Sequence, residues 1–281
     1  MNRRTKERLV FLGFRLCAMI VVLALVVLVG YIVINGLPKL SLDFLTQFPK
    51  DRNTMGGIFP AILGTLYLMG LVVLFAVPLG ILTAIYIVEY QSGSIWKSAL
   101  RMIIHNLAGV PSIVYGLLGL ALFVGMMNLG AGLLASALTL SLLVLPMVIA
   151  ASREAIIAVP PSVREASLAL GATKWQTIRH HVLPYSISGI LTGVILSLSR
   201  AAGETAPILF TGVVFFKTFL PDSLTDTFMA LPYHLYALAT QTTEITRPNQ
   251  YGTALVLLLL VIGMNLFAII LRKRYRDKYK W

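Results

Sequence analysis

Long runs without charge alternate with short basic segments along this chain. Residues 16–34 and 58–88 carry no Asp, Glu, Lys, Arg or His, and 102–152 carries only His105. The run 182–216 is interrupted only by Arg200 and Glu204, and 248–271 is again free of charge. A helix that spans a bilayer needs about 20 predominantly apolar residues. The stretch 102–152 is therefore long enough for two, and Asn128-Leu-Gly-Ala-Gly132 is the turn-like cluster near its middle. The pattern predicts an all-α polytopic membrane protein with six spans, near 10–34, 59–88, 102–127, 132–152, 184–215 and 251–271. The fifth is long enough to be tilted or broken. The first is read as a retained span, because it exceeds the apolar core of a signal peptide and Gly36-Leu-Pro-Lys39 follows it with no small-x-small site. Residues 1–55 then form a tail, first span and extracytoplasmic loop, and 56–281 a core of spans two to six.

Composition sharpens this reading. Charged residues are 12% of the chain and hydrophobic ones 58%, against about 25% charge in soluble domains. The net charge of +12 would suggest nucleic acid in a soluble protein. Here its distribution is the informative part. Seventeen of the 23 Lys and Arg fall in four segments that six spans place on one side. These are the N-terminal tail, the loop with Lys97 and Arg101, the loop with Arg153, Arg164, Lys174 and Arg179, and the C-terminal tail from Arg272 to Lys280. The positive-inside rule puts that side and both termini in the cytoplasm. The basic charge is a topology signal, and no nucleic-acid partner is expected. Cys17 is the single cysteine, so intrachain disulfides and Cys-rich metal sites are excluded. No GxxxxGK[ST], no HExxH and no catalytic carboxylate pair occurs, so no cofactor and no enzymatic role are expected, and any ATP-driven step needs a separate ATPase.

The loop 160–184 reads PPSVREASLALGATKWQTIRHHVLP. Pro160 and Pro161 stop the preceding helix. Ser162 with Glu165, and Thr173 with Gln176, have capping-box spacing. Ala166, Ala169 and Leu170 give the first helix a small apolar face, and Gly171 is placed as its C-cap. Trp175, Ile178 and Val182 form one stripe of a second helix, and Pro184 opens the fifth span. Two helices this short are not stable alone in water. Either they pack back on their own spans or they dock on another protein.

Two features lie inside the spans. Gly109-Val-Pro-Ser-Ile-Val-Tyr-Gly116 is either a plain kink with close packing or a cavity lining. Ser199-Arg-Ala-Ala-Gly-Glu-Thr-Ala-Pro207 holds Arg200 and Glu204, four residues apart, as the only strong charges in the predicted spans apart from Arg15 near the start of the first. Each costs roughly 2.5–3.5 kcal/mol at the bilayer centre by insertion scales. They are either a structural ion pair or part of an anion path, in which Arg offers donors matched to phosphate oxygens and Glu204 orients it. Between the last two spans, 217–246 is long for a loop. A short helix with Tyr233, His234 and Tyr236 is expected there, with His234 as a polar surface residue.

Glu165-Ala-Ser-x-x-x-Gly171, followed by Ile178, Val182 and Leu183-Pro184, resembles the EAA loop of binding-protein-dependent ABC importer permeases. The departures are Ser167 for the second Ala and the doubled Ile178/Val182. PSIVYG, SRAAGETAP, GGIFPAILGTLYL and PLGILTAIYIVEY resemble the phosphate-specific permeases of that family, and GETAPIL is similar to their PstA-type subunits. The resemblance covers roughly 55–272. It implies a permease that moves phosphate by alternating access, with the MetI-like permease fold. The implied partners are two copies of a PstB-type ATPase, a homologous PstC-type permease and a PstS-type phosphate-binding protein. It also implies that Glu165, Ala166, Gly171, Ala172 and Trp175 couple to the ATPase. Arg200, Glu204, Thr205, Ser112 and Tyr115 would line the substrate path. Another oxyanion substrate, or a nucleotide-independent transporter or channel, are the alternatives.

Overall fold

The computed structural model describes residues 3–50, 53, 55–90, 102–104, 106–240 and 247–278. Lys97, Arg101 and Lys280, used above for topology, lie outside the described residues. The chain begins with α1 (Arg3–Gly36), a 3-10 turn and α2 (Leu42–Thr46), capped by Ser41, whose Oγ accepts from the Phe44 amide at 3.1 Å. The two-residue strands β1 (Pro49–Lys50) and β2 (Met55–Gly56) pair antiparallel. Then come α3 (Phe59–Ile85), closed by a π turn Tyr86–Tyr90, and α4 (Met102–Ala108). Next are α5 (Ser112–Gly119), extended by a π turn Leu120–Met126, and α6 (Leu133–Ile157). After α7 (Pro161–Ala169), α8 (Lys174–Thr177) passes through a π turn Ile178–Val182 into α9 (Leu183–Ala201). The chain finishes with α10 (Ala206–Leu209), α11 (Leu231–Thr240) and α12 (Arg247–Lys278).

Among the described residues, five helices are long and apolar enough to cross a membrane, and six if α4 and α5 count as one bent span. The bundle is built around α6. Two thirds of its most apolar window is buried within the chain, whereas none of that of α1 is. Lipid tails provide no hydrophobic drive between helices, so close approach at small residues has to hold them. On α9, Gly189 and Gly193 face Ala155 and Ala151 of α6. A Cβ added at Gly193 would lie 2.0 Å from that of Ala151. Apolar clusters run the length of the bundle: Phe44, Ile58 and Leu231 at one end, Val72, Leu140 and Ile208 in the middle, and Ile85, Ile156, Ile178 and Val182 at the other.

The first, second, fourth and sixth spans lie where the hydropathy pattern places them, and the break at Asn128–Gly132 is a turn with positive φ at Asn128 and Gly130. Two spans depart from expectation. The third is no continuous helix over 102–127, since α4 and α5 meet at 103°. Pro111 disfavours helical backbone at Val110 and lacks the N–H that would continue the ladder. The amides of Gly109 and Val110 turn back to Asn106 and Leu107 instead. The fifth does not reach 215. It ends at Ala201, where the amides of Gly203 and Glu204 close a tight turn onto Arg200 and Ala201, and Pro207 starts α10.

Candidate functional site

Arg200 sits in the last turn of α9, and Glu204 lies beyond the helix end. They therefore do not share the face that a spacing of four would give them inside a helix. They pair around the terminus, Arg200 Nε to Glu204 Oε1 at 3.2 Å. The Arg200 side chain is 50% exposed and that of Glu204 17%. Arg200 Nη1 points at Met147 Sδ, 3.8 Å away. Met147 is near the middle of the 25-residue α6, so Arg200 stands level with the centre of that span. α9 thus ends opposite the middle of α6 and leaves a half-exposed guanidinium there. Thr205, half-buried, is the N-cap residue of α10, and its side chain makes no capping bond.

The two in-span motifs meet. A Cβ added at Gly116 of α5 would lie 2.8 Å from the carbonyl oxygen of Ala206 and 3.2 Å from Cα of Pro207, so only glycine lets α10 pack there. Ser112 is half-buried at the start of α5. Tyr115 is buried, and its hydroxyl donates to the Leu107 carbonyl at 2.8 Å. That bond clasps the bend between α4 and α5, and Tyr115 packs in the same apolar cluster as Ala201 and Ala202 beside Arg200.

At the end of the bundle where α3 and α6 stop, the loop 160–184 folds as two arms about Gly171, whose φ of +82° is left-handed. Thr173 and Gln176 form the expected capping box. Ser162 and Glu165 do not. Pro161 at the first helical position starts α7, with Pro160 as N-cap, so Ser162 is already inside the first turn. The second arm runs through the π turn into the fifth span without a break, and Pro184 is the second residue of α9. The Leu183 amide reaches back five residues to Ile178, and this widened turn precedes the proline, which has no amide to donate. Ile178 and Val182 are buried, but Trp175 is 47% exposed and outside their stripe. Glu165, Ala166, Ala169 and Gly171 are exposed, Ala172 is half-buried, and Leu170 is 89% exposed. The apolar face of α7 is left uncovered.

Three features escaped the sequence reading. The buried hydroxyls of Ser167 and Thr177 share a 2.9 Å hydrogen bond that pins the two arms together. Serine in place of the second Ala of the EAA pattern was the signal. Arg164, read above only as a topology charge, donates through Nε to Glu89 at 3.0 Å. It also donates to the carbonyls of Val159 and Ile156, at 2.6 and 2.8 Å. His234 is not a surface residue. It is 2% exposed, it stacks on Phe215 with ring centroids 5.4 Å apart, and burial pulls its pKa down to about 4. Spacing alone gives no sign that the Leu231–Thr240 helix folds inward.

A model of the family described as binding-protein-dependent transport system inner membrane component matches residues 76–280. The chain belongs to that family. The permease is 38% identical over 223 residues to phosphate transport system permease protein PstA 1 of Mycobacterium tuberculosis, covering 77% of this chain and 71% of that one. It is 34% identical over 281 residues to PstA of Mycobacterium leprae, with 96% and 90% covered. It is 36% identical over 211 residues to the probable ABC transporter permease protein YqgI of Bacillus subtilis, with 75% and 72% covered. Among solved structures, the permease resembles a chain of a bacterial alginate ABC transporter in complex with its pentasaccharide-bound periplasmic protein. The TM-score is 0.71 at 18% identity, over 96% of each chain. An inward-facing MetNI methionine ABC transporter gives 0.57 at 15% identity, over 78% of this chain and 97% of that one. The permease therefore has the ABC importer permease fold and is a transmembrane subunit rather than an enzyme.

Proposed function

We propose that this permease carries inorganic phosphate across the cytoplasmic membrane by alternating access, driven by a separate ATPase. The observation that carries the reading is the half-exposed Arg200 at the broken end of α9, level with the middle of α6. A guanidinium at that depth does not face lipid, because an unmatched charge there is too costly. It faces a polar path or a partner subunit. Helices broken near the midplane are where membrane carriers place their substrate sites. Glu204 holds Nε, and the Nη groups, which meet only the weak acceptor Met147 Sδ among the described residues, are the donors for phosphate oxygens, with Thr205, Ser112 and Tyr115 as further residues of the path. The names of the PstA relatives support phosphate as that anion. Residues 56–281 form the transporting core. The uncovered face of α7, with Glu165, Ala166, Gly171, Ala172 and Trp175, docks on the ATPase. Two ATPase copies of PstB type, a homologous PstC-type permease and a PstS-type binding protein complete the importer, and both termini are cytoplasmic.

The test is Arg200→Gln with Glu204→Gln in one chain, which leaves no unpaired charge behind. The complex is expected to assemble while phosphate uptake falls at least tenfold. Arg200→Lys should also be poor, since an ammonium cannot reproduce the bidentate fork. Full uptake by the double variant at normal protein levels would remove Arg200 from the path.

A further inference from the structure

We propose that Arg164 is a positioning residue that carries movement of the coupling loop into the second span, by clamping the loop to the π turn at the end of α3. The proposal rests on the reading that this loop docks an ATPase.

Arg164 uses both edges of its guanidinium. Nε meets Glu89 Oε1 at 3.0 Å, and the two Nη groups meet the carbonyls of Val159 and Ile156. The last carbonyls of a helix lack intrahelical donors and carry partial negative charge. Arg164 of α7 donates to carbonyls at and just past the end of α6, sharing that of Ile156 with the Val159 amide, while it holds the Glu89 carboxylate in the π turn that closes α3. The two side chains are only 20% and 10% exposed, so solvent and salt screen the pair weakly. A second fastening lies beside it. The ammonium of Lys174, at the start of α8, stands 5.0 Å from the centre of the Tyr90 ring. One arm from each side of the Gly171 elbow thus grips the same five residues, Tyr86–Tyr90.

That segment is a π turn, and such turns concentrate at functional positions. The extra residue rotates the downstream side chains by about 100° relative to an unbroken α-helix, and Glu89 and Tyr90 are the residues so re-aimed. The fifth span is moved by the loop directly, because α8 runs into α9. The second span has no such continuity. Glu89 and Arg164 are 75 residues apart in sequence, so force reaches α3 only through contacts. Gly80 of α3 packs on Val148 of α6, in the half of the bundle nearer the clamp, so a force that moves the end of α3 also works on that crossing. Arg164 thus makes the loop and the ends of α3, α6 and α9 one body.

A clamp that only stabilised the fold would lower ATP hydrolysis and transport together. A clamp that transmits motion sets their ratio. The whole complex is reconstituted with its ATPase and phosphate-loaded binding protein, and ATP hydrolysis and phosphate uptake are measured in the same vesicles. Arg164→Gln is expected to keep hydrolysis within about twofold while uptake drops at least tenfold. Glu89→Gln, which keeps shape and the two carbonyl bonds, should raise ATP used per phosphate by a smaller factor, as should Arg164→Lys. An unchanged ratio in Glu89→Gln and Arg164→Lys, whether both rates hold or fall in parallel, overturns the clamp. Absence of ATP-dependent uptake in the unmodified complex would instead overturn the reading beneath it.

Discussion

Replacing Gly171 isolates one physical term. A Cβ built on this residue meets nothing within 4 Å, so in the free permease a larger side chain clashes with no neighbour. Its φ of +82° is the whole difficulty. Holding an L-residue in left-handed backbone costs about 1–2 kcal/mol, which lowers the ratio of correctly bent to misbent loop by roughly 5–30-fold. Asn tolerates the region better than other residues, and a β-branched residue is the worst placed. The series Gly171→Asn, Gly171→Ala and Gly171→Val should therefore lose ATPase increasingly in that order when the tagged permease is purified and the retained ATPase is quantified. All three should insert in the membrane at normal levels, because the elbow lies outside the bundle. Retention of wild-type ATPase by Gly171→Val would refute the argument. Equal loss in Asn and Val would refute it differently, by pointing to the bare surface of glycine rather than its backbone.

Thr177→Val strands the buried Ser167 hydroxyl at a cost of about 1–3 kcal/mol, whereas Thr177→Val with Ser167→Ala removes both partners and should be nearly neutral; thermal melting of the two variants checks this. His234 titrates near 6.5 when unfolded and near 4 when folded, so unfolding takes up a proton between those values. Stability should be full above pH 6.5 and fall by about 1.4 kcal/mol per unit down to about pH 4, and His234→Gln should flatten that slope in melts at pH 7, 6 and 5. Single cysteines at Ser162 and Asp222 should be labelled from opposite sides of the membrane, Ser162 from the cytoplasm, and labelling of both from one side would break the topology.

Whatever depended on period and charge was legible in the sequence. The uncharged runs place four of the spans, and Thr173, Gln176 and Gly171 place the elbow, because capping and left-handed backbone are local matters. The features that tertiary contact decides were not. Hydropathy runs smoothly across Pro111 and across the turn after Ala201, so the third span reads as a helix with at most a kink, and the fifth as a long span, tilted or broken at no stated place. The hydrogen bond from Tyr115 to the Leu107 carbonyl was not legible either, because it depends on the bend at Pro111. Arg164 lay hidden among topology charges, although Glu89, the first charge after the clean run 58–88, was its visible counterpart.

The most direct test of the central claim is transport by the purified complex. Proteoliposomes holding this permease with its companion permease and ATPase are given binding protein and labelled phosphate, with ATP on the side of the Gly171 elbow. Uptake should need both ATP and binding protein and should persist in tenfold excess of sulfate or molybdate. Uptake without ATP, or equal suppression by sulfate, would contradict that claim.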